Sequence, residues 1–205
     1  MQQVSLTFGF CITVLAYKIG HHSGGQINCA VTLGLVLAGE LGVAQALVNF
    51  VAQVLGSISG AALLALVKSA ETDATGGLGS NTLAPGIEWH QALVGEIVCT
   101  FLLMGTVLET AINRTSEASR PLAALAIGMS VYVAHSFLIP VDGCSINPTR
   151  SIGPAIIASI RVDDSTAICG CCYQCHRPSP PSPRLPLVVC VCVCVCVCVC
   201  VCVCV

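Results

Sequence analysis

Two asparagines carry the chemistry that this sequence is equipped to do. Asn28 lies in Ile27-Asn28-Cys29-Ala30 and Asn147 in Ile146-Asn147-Pro148-Thr149-Arg150, one in each half of a 205-residue chain. No nucleophile–base pairing or phosphate loop accompanies them, so the chemistry is recognition by hydrogen bonds rather than bond making, and no enzymatic activity is expected. Asparagine is a preferred helix N-cap, and proline is favoured at the position that follows. Each segment therefore reads as the start of a helix. Such a start presents unsatisfied N–H groups and a partial positive charge. Two of these ends facing each other repel protons and cations, while the amides still donate to a neutral molecule. One copy alone could be the cap of a surface helix. Two copies at matching places in two halves indicate an inverted repeat with its site at the membrane midplane, where non-helical backbone is tolerated because it lines a wet cavity.

The elements that must hold these asparagines are apolar. Charged residues make up 9% of the chain and hydrophobic ones 55%, against about 25% charged in soluble domains. That composition cannot cover a water-facing surface, and an integral, multi-pass membrane protein is expected. Spanning the ~30 Å hydrocarbon core takes roughly 20 apolar residues. Val4 to Ile19, Ala44 to Val67, Ala92 to Ala111 and Pro121 to Ile139 meet that need or approach it. Asn28 to Gly39 and Asn147 to Ile160 are too short and are predicted to be re-entrant half-helices. Lys68 to Glu88 reads as a solvated loop, and Asn113 to Arg120 as a short polar one. Lys18, Arg114 and Arg120 on one side, against Lys68 on the other, follow the positive-inside rule. A net charge of −2 and 4% aromatic residues give no reason to expect a nucleic-acid partner. No basic region precedes the first apolar run, so no cleavable leader is predicted.

Cysteine does not describe a disulfide scaffold. Of the 16, only Cys11, Cys29, Cys99 and Cys144 lie in the apolar body, widely spaced. We therefore divide the chain into a channel body at 1–160, an irregular Cys/Pro-rich tail at 161–188, and a Val-Cys repeat at 189–205. The last is what a dinucleotide repeat yields when read as codons, and it is expected to be an artefact of the gene record. A genuine low-complexity tail, or an inserted apolar helix, would be the alternatives. Cys169, Cys171, Cys172, Cys175 and His176 lack a standard zinc spacing, and adjacent His21 and His22 are weak evidence for a metal. No metal or cofactor is expected.

The residues also resemble a family. VSLTFGFCITVLAYKIGHHSGGQINCAVTLG resembles the second helix and first re-entrant loop of aquaporins, and LAIGMSVYVAHSFLIPVDGCSINPTRSIGPA resembles their fifth helix and second loop. FVAQVLGSISGAALL and GEIVCTFLL are similar to the third and fourth helices, and LGSNTLAPG to the loop between them. The resemblance covers residues 4–159. It implies an all-α membrane protein, a right-handed helical bundle with two re-entrant half-helices in an inverted repeat, assembled as a homotetramer in the bilayer with one pore per subunit. It implies a pore centre at Asn28, Cys29, Ala30, Asn147, Pro148 and Thr149, and a water-selective filter of Phe8, His135, Cys144 and Arg150. It also implies structural roles for the buried polar residues Gln53 and Glu96, in place of a proton relay at Glu96. Cys144 matches a position where family members are blocked by mercurials.

The chain departs from the family in places. Cys29 stands where proline is usual and Thr149 where alanine is usual. The family's first and sixth helices are not found, so truncation at both ends is expected. The function implied is passive water conduction with proton exclusion at the paired asparagines. The alternative is a non-conducting subunit that hetero-oligomerises with full-length channels and modulates them. A glycerol, small-solute or hydrogen peroxide channel is a further reading, against which Ser151 and His135 argue for the glycerol branch.

Overall fold

The computed structural model describes residues 1–69 and 71–162. Every regular element among the described residues is helical: α1 (Gln2–Ser23), α2 (Cys29–Leu37), α3 (Val43–Val67), α4 (Trp89–Val107), α5 (Ala123–Asp142) and α6 (Pro148–Val162). The tail divisions at 161–188 and 189–205, and the Cys169–His176 cluster, fall almost wholly outside the described residues.

Four segments are long and apolar enough to cross a membrane: Gln2–Ser23, Val43–Val67, Trp89–Ile112 and Arg120–Asp142. They are the four predicted spans, each extended by a few residues. At the end of α4 the helix loosens into a π turn, Leu108–Ile112, and Arg114–Leu122 forms a 3-10 segment where a plain polar loop was predicted. Pro121, the expected helix start, lies inside that segment, two residues before α5 begins at Ala123. α2 and α6, of 9 and 15 residues, are the two predicted half-helices.

Packing runs in two pairs. α1 lies on α5, where a Cβ at Gly9 would sit 2.8 Å from the Gly128 carbonyl oxygen, so only the absence of side chains permits that crossing. α3 lies on α6, with Ser57 filling the space beside Gly153 and accepting its N–H at 3.2 Å. The core sits between α2, α4 and α5, around Val31, Leu35, Leu103, Met104, Val131 and Leu138. Leu103, Val107 and the other inward residues of α4 recur at three- and four-residue intervals, the spacing of one helix face. The outer residues, among them Val48, Leu55, Val98 and Phe137, are exposed apolar side chains, as a helix facing lipid requires.

The segment from Lys68 to Glu88 is not simply a solvated loop. Its middle folds down onto the end of α5: Thr82 and Ala84 donate their N–H groups to the carbonyls of Asp142 and Val141 at 3.1 and 2.9 Å, and Leu78 is buried. Glu71, Thr75 and Glu88 are exposed, as polar composition suggested, while the backbone groups of the middle are spent on protein partners.

Candidate functional site

The two half-helices are entered by the same backbone. α1 ends at Gly24 and α5 at Gly143, both left-handed, with φ 78° and 87°. The next residues, Gly25 and Cys144, are left-handed as well, at φ 61° and 58°. Two residues further on, Ile27 and Ile146 take φ 34° and 43°. A positive φ at a β-branched residue is a genuine outlier, and strain of this kind persists only where its surroundings over-determine it. Here it recurs at equivalent positions of both loops, immediately before each asparagine.

The reason lies in an exchange of hydrogen bonds. Asn28 Nδ2 donates to the Ile146 carbonyl at 2.9 Å, and Asn147 Nδ2 donates to the Ile27 carbonyl at 2.9 Å. Each isoleucine is turned so that its carbonyl meets the opposite asparagine. The second hydrogen of each amide takes no part in this exchange. Asn28 Oδ1 accepts the Ala30 N–H at 2.8 Å and caps α2. Asn147 Oδ1 accepts instead from the Thr149 hydroxyl at 2.6 Å. Cys29, where proline was the expected cap neighbour, begins α2 without disturbing it.

The surroundings of the two loops differ. Glu96, buried on α4, accepts the N–H groups of Ser145 and Ile146 through its two carboxylate oxygens, each at 2.6 Å. The Ser145 and Ser151 hydroxyls meet at 2.6 Å across the turn. One face of α3 presents Asn49 and Gln53 to the first loop and α2, and Ser57, four residues further on, to α6. Asn49 donates to Gln26 Oε1 at 2.9 Å, Gln53 Nε2 donates to Thr32 at 2.9 Å, and Ser57 donates to the Arg150 carbonyl at 3.4 Å. Gln53 thus reaches both half-helices, since the Thr149 hydroxyl lies 3.3 Å from its Oε1.

Phe8, His135 and Arg150 come together above this centre. The Phe8 and His135 rings stack with centroids 4.1 Å apart, and the Arg150 guanidinium carbon is 5.1 Å from the Phe8 ring centre. His135 Nδ1 is 2.9 Å from the Val131 carbonyl, so in the neutral ring Nδ1 carries the proton and Nε2 is an acceptor. Arg150 Nη1 donates to the Gly79 carbonyl at 2.7 Å and to Asn81 Oδ1 at 3.2 Å. Arg150 Nε and His135 Nε2 are buried without a hydrogen-bond partner among the described residues. Cys144, the fourth residue predicted here, is fully buried, with its backbone N–H on Asp142 Oδ1 at 3.0 Å.

Two residues of this region were missed in the sequence. Asn81 binds Arg150, accepts from Ser151 at 2.7 Å and donates to the Asp142 carbonyl at 3.2 Å, fastening the 71–87 loop over α6. Its only signal was an asparagine between polar residues, which a turn explains equally well. Asp142, buried under the same loop, ends a long apolar helix and closes its own turn by accepting the Cys144 N–H. An open groove of about 1230 Å³ runs between α1 and α3 and reaches Gln53, Asn147, Thr149 and Arg150.

An all-helical membrane protein with two half-helices meeting end to end at paired asparagines is a channel scaffold. A model of the major intrinsic protein family matches residues 1–165, and the chain belongs to that family. It is 42% identical over 155 residues to Aquaporin-1 of Sus scrofa and of Homo sapiens, and 41% identical to that of Bos taurus. Each alignment covers 76% of this chain and 56% of the relative, so the chain spans little more than half the length of these relatives. The fold is also that of an aquaglyceroporin from Plasmodium falciparum, with TM-score 0.74 at 17% identity, covering 97% of this chain and 79% of that one.

Proposed function

We propose that this chain provides the selective centre of a passive water channel. The observation that carries the proposal is the reciprocal bonding of Asn28 and Asn147, each fixed through one amide hydrogen to the opposite loop. Each then has a second amide hydrogen for a permeating molecule. A water in transit donates elsewhere and accepts from both amides, which breaks a proton-conducting chain of waters at that point. The facing N-termini of α2 and α6 add a positive potential against protons and cations. Above them, Arg150 Nε is a donor and His135 Nε2 an acceptor, and Phe8 limits the width. A donor and an acceptor side by side suit water, and the aromatic stack disfavours the carbon backbone of a polyol. Cys144 forms the remaining wall through its backbone, Glu96 and Gln53 hold the loops, and similarity to Aquaporin-1 supports the same reading. The working unit is a homotetramer in the bilayer.

Reconstituted in vesicles, the chain should raise osmotic water permeability without raising glycerol uptake. Equal stimulation of both would replace the water reading with the small-solute one, and stimulation of neither would reject conduction.

The lateral groove between α1 and α3 favours a second reading. It leaves Gln53, Asn147 and Thr149 bordering an open side, where unpaired polar groups are costly against lipid. A subunit that associates with longer relatives would have that side covered and would modulate their conduction. Co-expression that leaves the trafficking and permeability of a longer relative unchanged would dismiss this reading.

A further inference from the structure

We propose that Glu96 and Asp142 share one proton in the folded chain, and that this proton makes Asp142 a positioning residue for the second loop, acting through Glu96. The consequence for flow rests on the water-channel reading above; the sharing itself does not. The two carboxyls are 2% and 1% exposed, and they are hydrogen-bonding neighbours. Glu96 is furnished as an ionised carboxylate, each oxygen accepting a backbone N–H at 2.6 Å, from Ser145 and from Ile146. Asp142 is furnished on one side only. Its Oδ1 accepts the Cys144 N–H at 3.0 Å, while Oδ2 is buried and meets no donor. A buried carboxylate oxygen without a donor is costly, and two ionised carboxyls side by side also repel each other.

One proton answers both costs. On Asp142 Oδ2 it turns the orphaned oxygen into a donor, and Glu96 has lone pairs left to accept it. The charged and titratable groups that face the pair among the described residues do not replace that donor. Arg150 of α6 gives Nη1 to the Gly79 carbonyl and Asn81 Oδ1. Cys99 of α4 and Cys144 of the second loop bring thiols. His135 faces Arg150, with its Nδ1 on the Val131 carbonyl. Asn81 and Thr82, both neutral, reach the Asp142 carbonyl instead of its carboxyl. The placement matters because the pair grips three consecutive residues. Cys144 gives its N–H to Asp142, and Ser145 and Ile146 give theirs to Glu96. Ile146 is the residue whose carbonyl accepts from Asn28. The shared proton joins the two acceptors into one clamp on the left-handed stretch ahead of Asn147. Its loss in alkali leaves two adjacent negative charges, which push the acceptors apart and loosen the clamp.

The experiment compares the unaltered full chain in lipid vesicles with Asp142→Asn, which keeps a donor beside Glu96 but does not titrate. Infrared spectra from neutral to alkaline pH read the carbonyl stretch of a protonated carboxyl, and osmotic water permeability is followed over the same range. The unaltered chain should show the band at neutral pH and lose it in alkali. Asp142→Asn should lack it at neutral pH, because Glu96 then has two N–H groups and an amide donor and needs no proton. Permeability of the unaltered chain should fall as the band disappears, while Asp142→Asn should hold its own neutral value. A band missing from the unaltered chain, or one that Asp142→Asn leaves in place, overturns the shared proton. Permeability that stays constant while the band is lost overturns the positioning role. If the unaltered chain conducts no better than protein-free vesicles, the water-channel reading fails, and the infrared comparison still decides the shared proton. The clamp is then read from unfolding: a proton held only in the folded chain contributes stability that is lost as pH rises. The unfolding temperature should fall in alkali for the unaltered chain and not for Asp142→Asn, and equal falls in both overturn the positioning role.

Discussion

Gly24, Gly25 and Ile27 lead into α2 through the same left-handed backbone by which Gly143, Cys144 and Ile146 lead into α6, but the two loops are held by different groups. The second is gripped by a carboxylate from α4, by a serine pair, and by the 71–87 loop through Asn81 and Arg150. The first leans on α3, through Asn49 and Gln53, and the acids of the first half, Glu40, Glu71 and Asp73, lie outside its helices. Of the spanning residues of α4 and of α5, 44% are buried, against 11% in α1 and 6% in α3. The exchange between the asparagines therefore dictates the backbone of both loops, and local scaffolding is free to differ. What the two halves share is what the proposed pore needs.

The sharpest way to break the comparison is Glu96→Leu. It leaves two buried N–H groups of the second loop unpaired, at about 1–3 kcal/mol each. Thermal unfolding in detergent should show a loss of several °C or no folded protein at all. An equal loss on replacing any acid of the first half would show that the loops are not held differently.

Asn28→Ala and Asn147→Ala come next. Asn28 supplies a cap worth ~1 kcal/mol and an inter-loop bond of similar size. Removing either asparagine should cost about 2 kcal/mol, and the double variant should cost less than the sum, because each loop then lacks its partner already. Additive losses would mean that the two bonds are independent and the shared backbone is coincidence.

Gly25→Ala should cost about 1 kcal/mol, since it places a Cβ in a left-handed position. Cys144→Gly relieves the equivalent strain but gives up a buried thiol, so its net change should be smaller than that of Gly25→Ala. The same unfolding assay reads both, and a larger effect at Cys144 would show that strain is not shared evenly between the loops.

The smallest effect concerns Asp73, which shapes the loop covering the second half. Partial burial alone would raise its carboxyl, but hydrogen bonds from the Thr75 hydroxyl and from the Leu78 and Thr75 N–H groups hold it below its ordinary value of 3.8. A depressed carboxylate contributes stability that is fully present above its unfolded value and lost as pH falls through the folded one. Unfolding followed from pH 7 to strongly acid conditions should therefore show a small loss below about pH 4 that Asp73→Asn abolishes. An unchanged profile in Asp73→Asn would remove Asp73 from the account.

Much of this was legible in the sequence because it depends on composition and spacing. Four apolar spans, two short helices and two asparagine caps follow from hydropathy and capping chemistry, and Phe8, His135 and Arg150 follow from resemblance. The polar stripe Asn49, Gln53 and Ser57 was also legible as a four-residue repeat on an apolar helix, although only Gln53 was singled out. What could not be read was long-range. Positive φ at Ile27 and Ile146 contradicts local preference and exists only because an asparagine in the other half needs each carbonyl. Asn81 acquires its meaning from a loop that folds back onto α5, which no local pattern encodes, whereas Asp142 closes its own turn through the Cys144 N–H. The loop looked solvated for the same reason.

The central claim is that water passes between the two asparagines rather than through lipid. The temperature dependence of osmotic permeability in vesicles containing the chain tests it most directly. A pore replaces the step of dissolving water in hydrocarbon with a series of hydrogen-bond exchanges. The account therefore predicts faster flow with a distinctly weaker temperature dependence than in protein-free vesicles, and loss of that difference in Asn28→Ala/Asn147→Ala. Flow with the rate and temperature dependence of bare lipid would contradict it.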